Sequence, residues 1–382
     1  MLKYRKDIIL WGGISITPSA SIDTFYPTTE LAFYNTMANK WKLTKTRISN
    51  LEGCHDATAC IINRKLIITT GFQKERIINS QDFYTNEPST IGSSLSNTTW
   101  ILDLETLNWE QPKPSGSLPV KCNKAISWSF DNTMYIFGGY GKPPSIEYQE
   151  KSIQFDIDPM FENHGWLNQF PAYNIHNNSW EWPSYTGTPP SPRAAMAHVQ
   201  IEHRIFIFGG RAKEGRLNDL YELNMTSLTW SKIMMNTPYI SPVGRSWHAM
   251  TNAKIKDEDH IILYGGLDNE QRALNDCWTI NLKKKQPIWK RHSHLEQEGR
   301  LYHRIVCVQK YKIVIVGGIT NDILAGEPTK HATQTIKFNL APLSLKHIAM
   351  ADIVNNISIQ RISSDSIPYH LVEEIRKGIE SA

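Results

Sequence analysis

The sequence is poor in cysteine, and none of the five cysteines in its 382 residues belongs to a CxxC pair. This scarcity disfavours both a zinc knuckle and a disulfide framework, and it predicts reduced thiols in the core. The sequence also lacks an apolar run of the roughly 18 residues that a membrane helix needs, and residues 1–6 lack the apolar segment of a secretory signal. We therefore expect a soluble protein of the nucleus or cytoplasm that does not contact a membrane.

The chain has little charge imbalance, because 41 basic side chains face 37 acidic ones and leave a net charge of +4. It has no long basic run beyond Lys283 to Lys285, so nucleic acid is not an expected partner. Hydrophobic residues make up 40% of the chain and aromatic residues 10%. This composition is too apolar for a disordered chain, and it can supply a sizeable core.

A short run of β-branched and aromatic residues that ends in a glycine pair recurs along the chain. A sixth run, which ends at Gly71-Phe72, has lost its second glycine. A single glycine pair is usually an ordinary turn, but five pairs in register indicate a repeat. The five intact pairs are Gly12-Gly13, Gly138-Gly139, Gly209-Gly210, Gly265-Gly266 and Gly317-Gly318.

Each repeat continues with a second apolar stretch and a tryptophan, and three repeats are preceded by an arginine motif, as in Gly244-Arg245-Ser246-Trp247-His248. The spacing of the pairs runs from 52 residues (265 to 317) to 71 residues (138 to 209). Strong β composition with a period near 50 is typical of a kelch propeller. We predict an all-β, six-bladed kelch β-propeller over residues 1–341. The tryptophans are Trp41, Trp109, Trp180, Trp230 and Trp289.

The repeat assigns a role to each part of a blade. We expect the strand before the glycines to pack around the axis and the tryptophan to fill the wedge between adjacent blades. The segments after the glycine pairs, with long insertions over residues 73–97 and 141–171, should gather at one end of the ring. Because the chain begins almost at the first glycine strand, the strand expected before Ile8 is predicted to be missing.

The repeat pattern stops at Pro342, and residues 342–382 carry two amphipathic helical stretches, 344–353 and 369–378. The second stretch follows a proline and ends near Gly378, as a short helix should. We predict a short C-terminal helical tail. On composition alone, this tail could simply pack against an edge of the propeller.

The chain resembles a specific family, the kelch-domain-containing substrate receptors of cullin ubiquitin ligases that capture the C-terminal ends of proteins. Within that family it is most similar to the receptors that prefer a terminal diglycine. The likeness covers nearly the whole chain. It is strongest in Pro190-Ser191-Pro192-Arg193-Ala194-Ala195, Gly209-Gly210-Arg211, Arg216-Leu217-Asn218-Asp219-Leu220 and Pro242-Val243-Gly244-Arg245-Ser246-Trp247-His248.

The resemblance implies a peptide site without a cofactor or a metal. Arg211 and Arg216 resemble the two arginines that clamp a terminal carboxylate, and Ser246 resembles the hydroxyl that joins them. The chemistry suits this role, because a guanidinium binds a carboxylate bidentately and a desolvated carboxylate requires paired donors. The residues that resemble the aromatic walls and a polar contact deeper along the peptide are Tyr140, Trp166, Trp247 and Lys124.

Ordinary structural roles remain open for these residues. An arginine in a kelch loop is commonly solvated or in a salt bridge between blades, Ser246 could cap a turn, and Trp166 or Trp247 could be core. We interpret four further residues as structural, since a residue repeated from blade to blade serves the blade. They are Arg245 and the histidines that we place at one strand position, His198, His248 and His303.

The tail resembles partner-binding boxes of the same family. Residues 344–350 resemble the box that docks elongin C, and residues 367–372 resemble the adjoining cullin box. An amphipathic helix in a groove needs apolar anchors at helical spacing. The resemblance implies elongin B, elongin C and a cullin as partners, contacted through Leu345, Ile348, Pro368 and Leu371.

Three functions are therefore compared. The first is a non-enzymatic adaptor that binds protein C-terminal tails and presents them to a ubiquitin ligase. The second is a plain kelch scaffold for another protein. The third is an enzyme, which is disfavoured because no nucleophile and base pair and no copper-binding constellation can be assigned. Convergence of Arg211, Arg216 and Ser246 on one concave pocket would distinguish the first from the second.

Overall fold

The computed structural model consists of antiparallel sheets arranged around a central axis. It describes residues 2–4, 7–12, 14–15, 24–25, 29–35, 40–47, 54–77, 90–235, 240–283, 287–293, 298–309, 312–321 and 329–340. Six of the sheets are blades. Within the described ranges the one helix is a 3-10 turn, Ile146–Lys151. None of the helical residues that the structure describes forms a segment long and apolar enough to span a bilayer.

Each blade is a meander whose strands follow one another in the sheet. The first strands are Leu2–Tyr4, Thr58–Ile62, Ile126–Phe130, Ala197–Ile201, Ala249–Ile255 and Arg304–Gln309. The second strands are Asp7–Trp11, Lys65–Thr69, Thr133–Phe137, Arg204–Phe208, Glu258–Leu267 and Lys312–Val316. The third strands are Glu30–Asn35, Trp100–Asp103, Ala172–Asn174, Leu220–Asn224, Ala273–Asn281 and Ile336–Asn339. The fourth strands of blades one to five are Lys40–Lys45, Trp109–Glu110, Ser179–Glu181, Thr229–Ile233 and Trp289–Arg291.

Blades three and four each gain a fifth strand from the linker that comes from the preceding blade. Ser115–Gly116 pairs in parallel with the fourth strand of blade three, and Thr186–Gly187 pairs with the fourth strand of blade four. These pairings tie consecutive blades together at the outer edge of the ring.

The axis is lined by the first strand of each blade, and not by the glycine strand that the sequence pattern favoured. The glycine strand is second in every blade. A cavity of about 350 Å³ runs along the axis and is lined by first-strand residues such as Thr58, Ile126, Ala197 and Ala249. The glycine strand is the most apolar of each blade because adjacent blades cover both its faces: Phe206 and Phe208 pack towards blade five, and Ile205 and Ile207 pack towards blade three.

Blade one contains the strand that was expected to be missing. Leu2–Tyr4 pairs antiparallel with Asp7–Trp11, with Leu2 opposite Ile9. The expectation was wrong because three residues suffice for a first strand, whose side chains need to cover only the axial end of the blade.

The glycine pairs bring neighbouring segments closer than a side chain would permit. Gly209 and Gly210 both have positive φ, at 63° and 101°. A Cβ on Gly209 would lie 2.8 Å from the carbonyl oxygen of Arg245 in the next blade. At this turn, glycine is therefore required by both conformation and space.

The tryptophan of each blade packs against the preceding blade, as predicted, with one exception. Trp230 lies 5.1 Å from Phe137, and Trp289 lies 5.5 Å from Phe208. Trp41, the tryptophan of blade one, is 44% exposed and stacks only on its own blade. Among the described residues, the seam between blades six and one therefore has no tryptophan wedge.

That seam is instead closed by aliphatic side chains together with one tyrosine. Ile8 and Tyr34 of blade one pack with Val306, Val314 and Val316 of blade six in one buried cluster. No sheet of the described strands contains strands from both blades. The ring is therefore closed by side-chain packing.

Arg245 is structural, as predicted. It is fully buried, and its two terminal nitrogens donate to the two carboxylate oxygens of Asp276, at 2.6 and 2.8 Å. It also donates to the carbonyl oxygen of Gly265 at 2.9 Å, so it fixes the glycine turn of its own blade. Arg193 and Asp219 repeat the arrangement in blade four.

The three histidines do not share one position, contrary to the prediction. His248 and His303 follow their arginines by three residues and approach a glycine turn with Cε1, whereas at that position blade four has Met196. His198 lies two residues further along and faces Trp128 of blade three, 6.0 Å away. The spacing from the preceding arginine, three residues against five, shows this difference in the sequence itself.

The cysteines behave as core thiols. Cys54, Cys60, Cys122 and Cys277 are buried free thiols, and Cys307 is partly buried. Burial raises the pKa of Cys122 to about 12, so this thiol is protonated at neutral pH.

Candidate functional site

The segments that follow the glycine turns of blades two, three and four meet at one end of the ring. Phe72, Tyr140 and Arg211 each follow such a turn, and all three line a cavity of about 310 Å³. Short strands build its walls, as the insertions fold back on the blades. They are Cys54–His55, Phe72–Ile77 and Thr90–Leu95 in one sheet, and Cys122–Asn123, Tyr140–Gly141, Gly165–Leu167 and Phe155–Ile157 in another.

Arg211 and Arg216 face each other in a two-stranded hairpin, Arg211–Ala212 and Gly215–Arg216. Directly opposite residues of an antiparallel pair lie on the same face, so the two guanidinium groups lie on one side of this hairpin. Gly215 has a φ of 118° at the turn, a conformation that glycine permits. The tight hairpin thereby brings two cations five residues apart into one neighbourhood.

Arg211 lines the cavity, and its guanidinium carbon lies 6.0 Å from the centre of the Trp166 ring. In the part of the chain that the structure describes, its side chain makes no ion pair with a carboxylate. Guanidinium groups stack on aromatic rings while their N–H groups stay available at the edge. Arg211 is therefore placed to receive an anion from the cavity.

Arg216 and Ser246 lie beside the cavity and do not line it. Arg216 donates from Nε to Ser246 Oγ at 3.0 Å, and Ser246 is fully buried. Asn269, which the sequence analysis did not identify, binds the backbone of Arg216 on both sides, accepting its N–H at 2.8 Å and donating to its carbonyl at 3.0 Å. The guanidinium of Arg216 also lies 5.8 Å from the Trp247 ring, which does line the cavity.

Trp247 belongs to a ring of left-handed residues, of which Lys124, Ala195 and Trp247 line the cavity. We call Asp56, Lys124, Ala195, Trp247 and Tyr302 the linked ring: each comes from a different blade, and their φ values lie between 52° and 59°. The N–H of each of the last four donates to the carbonyl of the one before it, from Lys124 on Asp56 at 3.3 Å to Tyr302 on Trp247 at 3.0 Å. Non-glycine residues with positive φ are strained, and such strain often clusters at functional sites.

Side chains of the linked ring close the axis. Trp247 stacks on Tyr302 at 4.9 Å, and Lys124 Nζ lies 5.7 Å from the Trp247 ring and 3.9 Å from Asp56. Lys124 and Trp247 line both this cavity and the axial one. The indole N–H of Trp247 is buried without an acceptor among the described residues.

Tyr140 and Trp166 form the opposite wall. Trp166 is buried and meets the Tyr140 ring edge-on at 5.6 Å. The Tyr140 hydroxyl donates to Asp158 Oδ2 at 2.9 Å, and His164 stacks on its ring at 6.0 Å. Burial, and then Asp158, raise the pKa of Tyr140 well above its usual range, so the phenol is a neutral donor. Asp158, His164 and Phe161 also line the cavity but lie in an insertion that no repeat pattern covers.

This arrangement suits the end of an anionic chain. Two cations, Arg211 and Lys124, face a cavity whose other walls are mainly aromatic rings, and aromatic walls leave space for a slender backbone. Of the residues singled out from the sequence, Lys124, Tyr140, Trp166, Arg211 and Trp247 line the cavity, and Arg216 and Ser246 adjoin it. Leu345, Ile348, Pro368 and Leu371 lie outside the described residues.

Known proteins resemble this chain along most of its length. A family model described as the KLHDC2/KLHL20/DRC7 Kelch-repeats domain matches residues 1–160 and 160–318. Kelch domain-containing protein 2 of Bos taurus is 27% identical over 98% of this chain and 88% of that protein. Kelch domain-containing protein 1 of Homo sapiens is 28% identical over 97% of this chain and 87% of that protein. The solved structure described as "Structure of YjhT" superposes with a TM-score of 0.57 at 18% identity, covering 81% of this chain and 89% of the other, which supports the propeller fold.

Proposed function

The chain belongs to the KLHDC2/KLHL20/DRC7 kelch-repeat family, and we propose that it is a non-enzymatic substrate-recognition adaptor of a cullin-type ubiquitin ligase. In this proposal it binds the C-terminal tails of proteins, preferably tails that end in glycine, in the cavity at the glycine-turn end of the ring. The motif resemblance set out above and the placement of the motif residues around one cavity support it.

The observation that carries the proposal is the position of Arg211. Its guanidinium faces the cavity without a carboxylate partner among the described residues, next to the Arg216 and Ser246 pair. A terminal carboxylate would supply the missing charge, and the two arginines would bind it in the bidentate manner that guanidinium groups favour. Trp166 and Trp247 would exclude bulky side chains near the last residues, which favours glycine there.

The test compares a labelled peptide that ends in two glycines with its amidated form. Amidation removes the terminal charge, so we expect the acid to bind much more tightly. Arg211→Ala should weaken binding of the acid by roughly 30-fold to several thousand-fold, which corresponds to about 2–5 kcal/mol for a buried charge that loses its partner. Arg211→Lys should not restore it, because an ammonium lacks the planar fork.

Arg204→Ala is a matched control. Arg204 lies on the second strand of blade four, pairs with Glu222 on the third strand, and does not line the cavity. Equal binding of the acid and the amide to the wild-type protein would contradict the carboxylate site and leave a general kelch scaffold as the better interpretation. If a peptide extended by one C-terminal alanine still binds, the carboxylate site stands and only the proposed preference for a terminal diglycine is contradicted.

The ligase role depends on the tail. We propose that residues 344–350 and 367–372 dock elongin C, with elongin B, and a cullin, in the nucleus or cytoplasm. Leu345→Asp would place a charge in an apolar groove, so it should abolish co-purification with elongin while peptide affinity stays unchanged. Undiminished elongin capture by this variant would argue against the ligase role without affecting the peptide site.

A further inference from the structure

Asp158 is a buried acidic group in the wall of the peptide cavity. Its side chain is 5% exposed, and it lines the cavity together with Arg211. Its Oδ2 accepts from Tyr140 at 2.9 Å, and its Oδ1 accepts from the backbone N–H of Met160 at 3.0 Å. Its own N–H donates to the carbonyl of His164 at 2.8 Å. These contacts fix the carboxylate against the aromatic wall.

The charge of Asp158 is not neutralised by a neighbouring cation. Within the described ranges, no lysine, arginine or histidine lies within ion-pair distance of it, and its two hydrogen bonds occupy about half of the lone pairs that a carboxylate offers. The cavity is therefore bipolar, with Arg211 and Lys124 as its cationic groups and Asp158 as its anionic group.

The size of the cavity relates these two charges to positions along a peptide. A sphere of 310 Å³ is about 8 Å across, and an extended chain advances about 3.3 Å per residue. A tail whose terminal carboxylate reaches Arg211 therefore crosses the cavity in two to three residues. The residue that reaches the far wall of the cavity is then the third or fourth from the end.

We infer that Asp158 selects among protein tails by charge, rejecting an acidic residue at the third or fourth position from the C-terminus and accepting a neutral or basic one. This inference rests on the proposed function, because Arg211 sets the register of the peptide. It defines the substrate class as tails that combine a terminal carboxylate with an uncharged or basic residue two or three positions before the last one.

The expected discrimination follows from Coulomb's law. Two like charges about 7 Å apart, at the effective dielectric constant of about 20 that suits such sites, repel enough to weaken binding about 10- to 50-fold. Glutamate and glutamine are nearly isosteric, so a comparison between them isolates the charge. Lysine at the same position should bind at least as tightly as glutamine.

The experiment titrates peptides that end in two glycines and carry Glu, Gln or Lys at the third or the fourth position from the end. Each peptide is measured against the wild-type protein, Asp158→Asn and Asp156→Asn. Asp156 is a matched control, because it lies on the same insertion, two residues away in the strand Phe155–Ile157, and does not line the cavity. Each peptide is also measured in its amidated form.

We expect wild type and Asp156→Asn to bind the Gln peptide about 10- to 50-fold more tightly than the Glu peptide at one of the two positions, and Asp158→Asn to reduce this ratio below about threefold. Equal binding of Glu and Gln to the wild-type protein would refute the inference, and that comparison requires no variant to fold. A ratio that survives in Asp158→Asn, or falls as much in Asp156→Asn, would refute it as well.

The amidated peptides separate the two proposals. If the acid form is preferred but Glu and Gln bind alike, only the role of Asp158 fails. If the acid and the amide bind alike, the proposed function fails, and the inference fails with it.

Discussion

At the scale of single residues, buried histidines make the fold sensitive to acid. Burial, and then the nearby Arg304, lower the pKa of His198 to about 4 and that of His303 to about 3. His303 Nε2 lies 3.1 Å from the carbonyl oxygen of Tyr264, where a neutral imidazole donates a hydrogen bond. Both histidines are therefore uncharged in the folded protein at neutral pH.

The unfolded chain protonates these histidines at their ordinary pKa near 6.5, whereas the folded chain does not. Since the unfolded state then binds more protons, stability should be complete above pH 6.5 and should fall as the pH drops from 6.5 towards 4. Each histidine contributes up to about 1.4 kcal/mol per pH unit in this window. Urea unfolding between pH 7 and pH 4.5 measures the slope.

His303→Gln provides the check, because glutamine can hold a donor near the position of Nε2 but does not titrate. In this variant, the pH dependence of the free energy of unfolding should be smaller than in the wild-type protein by about the contribution of one histidine. A pH dependence identical to that of the wild-type protein would contradict the assignment, whatever the variant's stability at pH 7.

At the scale of elements, the blades were predictable because their signals are local. A glycine turn follows a buried strand within one repeat, and a tryptophan such as Trp230 recurs at a fixed place in the next strands. The order of strands about the axis is not a local property. The axial place of the first strand was therefore assigned to the second, since burial of both faces between blades and burial at the axis produce the same apolar run.

The site was predictable where it follows the repeat and not elsewhere. Arg211 and Trp247 stand at fixed distances from a glycine turn or an arginine motif, so their motifs could be recognised. Asp158 lies in an insertion without periodicity, and Asn269 acts on Arg216 from the next blade, 53 residues away. No pattern in a single sequence connects residues whose contacts depend on how the ring closes.

At the scale of the whole molecule, the six seams between blades are not equal. Five of them are crossed by the chain, and four of these also have an N–H to C=O bond of the linked ring, from Asp56 to Tyr302. The seam between blades six and one has neither a linked-ring bond nor a tryptophan wedge among the described residues, and it depends on the cluster around Tyr34 and Val314. Local opening should therefore begin there.

Two tyrosines on third strands provide a matched comparison. Tyr34 is buried in the seam of blades six and one, and Tyr173 is buried between blades two and three. Truncating a buried tyrosine to alanine should lower the free energy of unfolding by about 3–5 kcal/mol when the truncated contacts are lost only on global unfolding. For Tyr34→Ala we expect a smaller fall in the free energy of unfolding, with hydrogen exchange accelerated mainly in Asp7–Trp11 and Lys312–Val316.

Tyr173→Ala should instead accelerate hydrogen exchange throughout the ring. A seam that the chain crosses is tied to the adjacent blades, so it opens only when the neighbouring seams open as well. Uniform acceleration in Tyr34→Ala, or an unchanged ratio of exchange rates between blade one and blade four, would show that the seams are equivalent.

Because side chains of the first and last blades close the ring, blade one is synthesised long before the residues that cover it. Ile8 is translated 306 residues before Val314, the residue that covers it. At about 5–20 residues per second, the ribosome needs roughly 15 to 60 s for that interval. During this time the apolar face of blade one has no native cover, although blades two to five can already stack on its other side. A nascent chain of this protein therefore carries an open hydrophobic face until its last blade emerges.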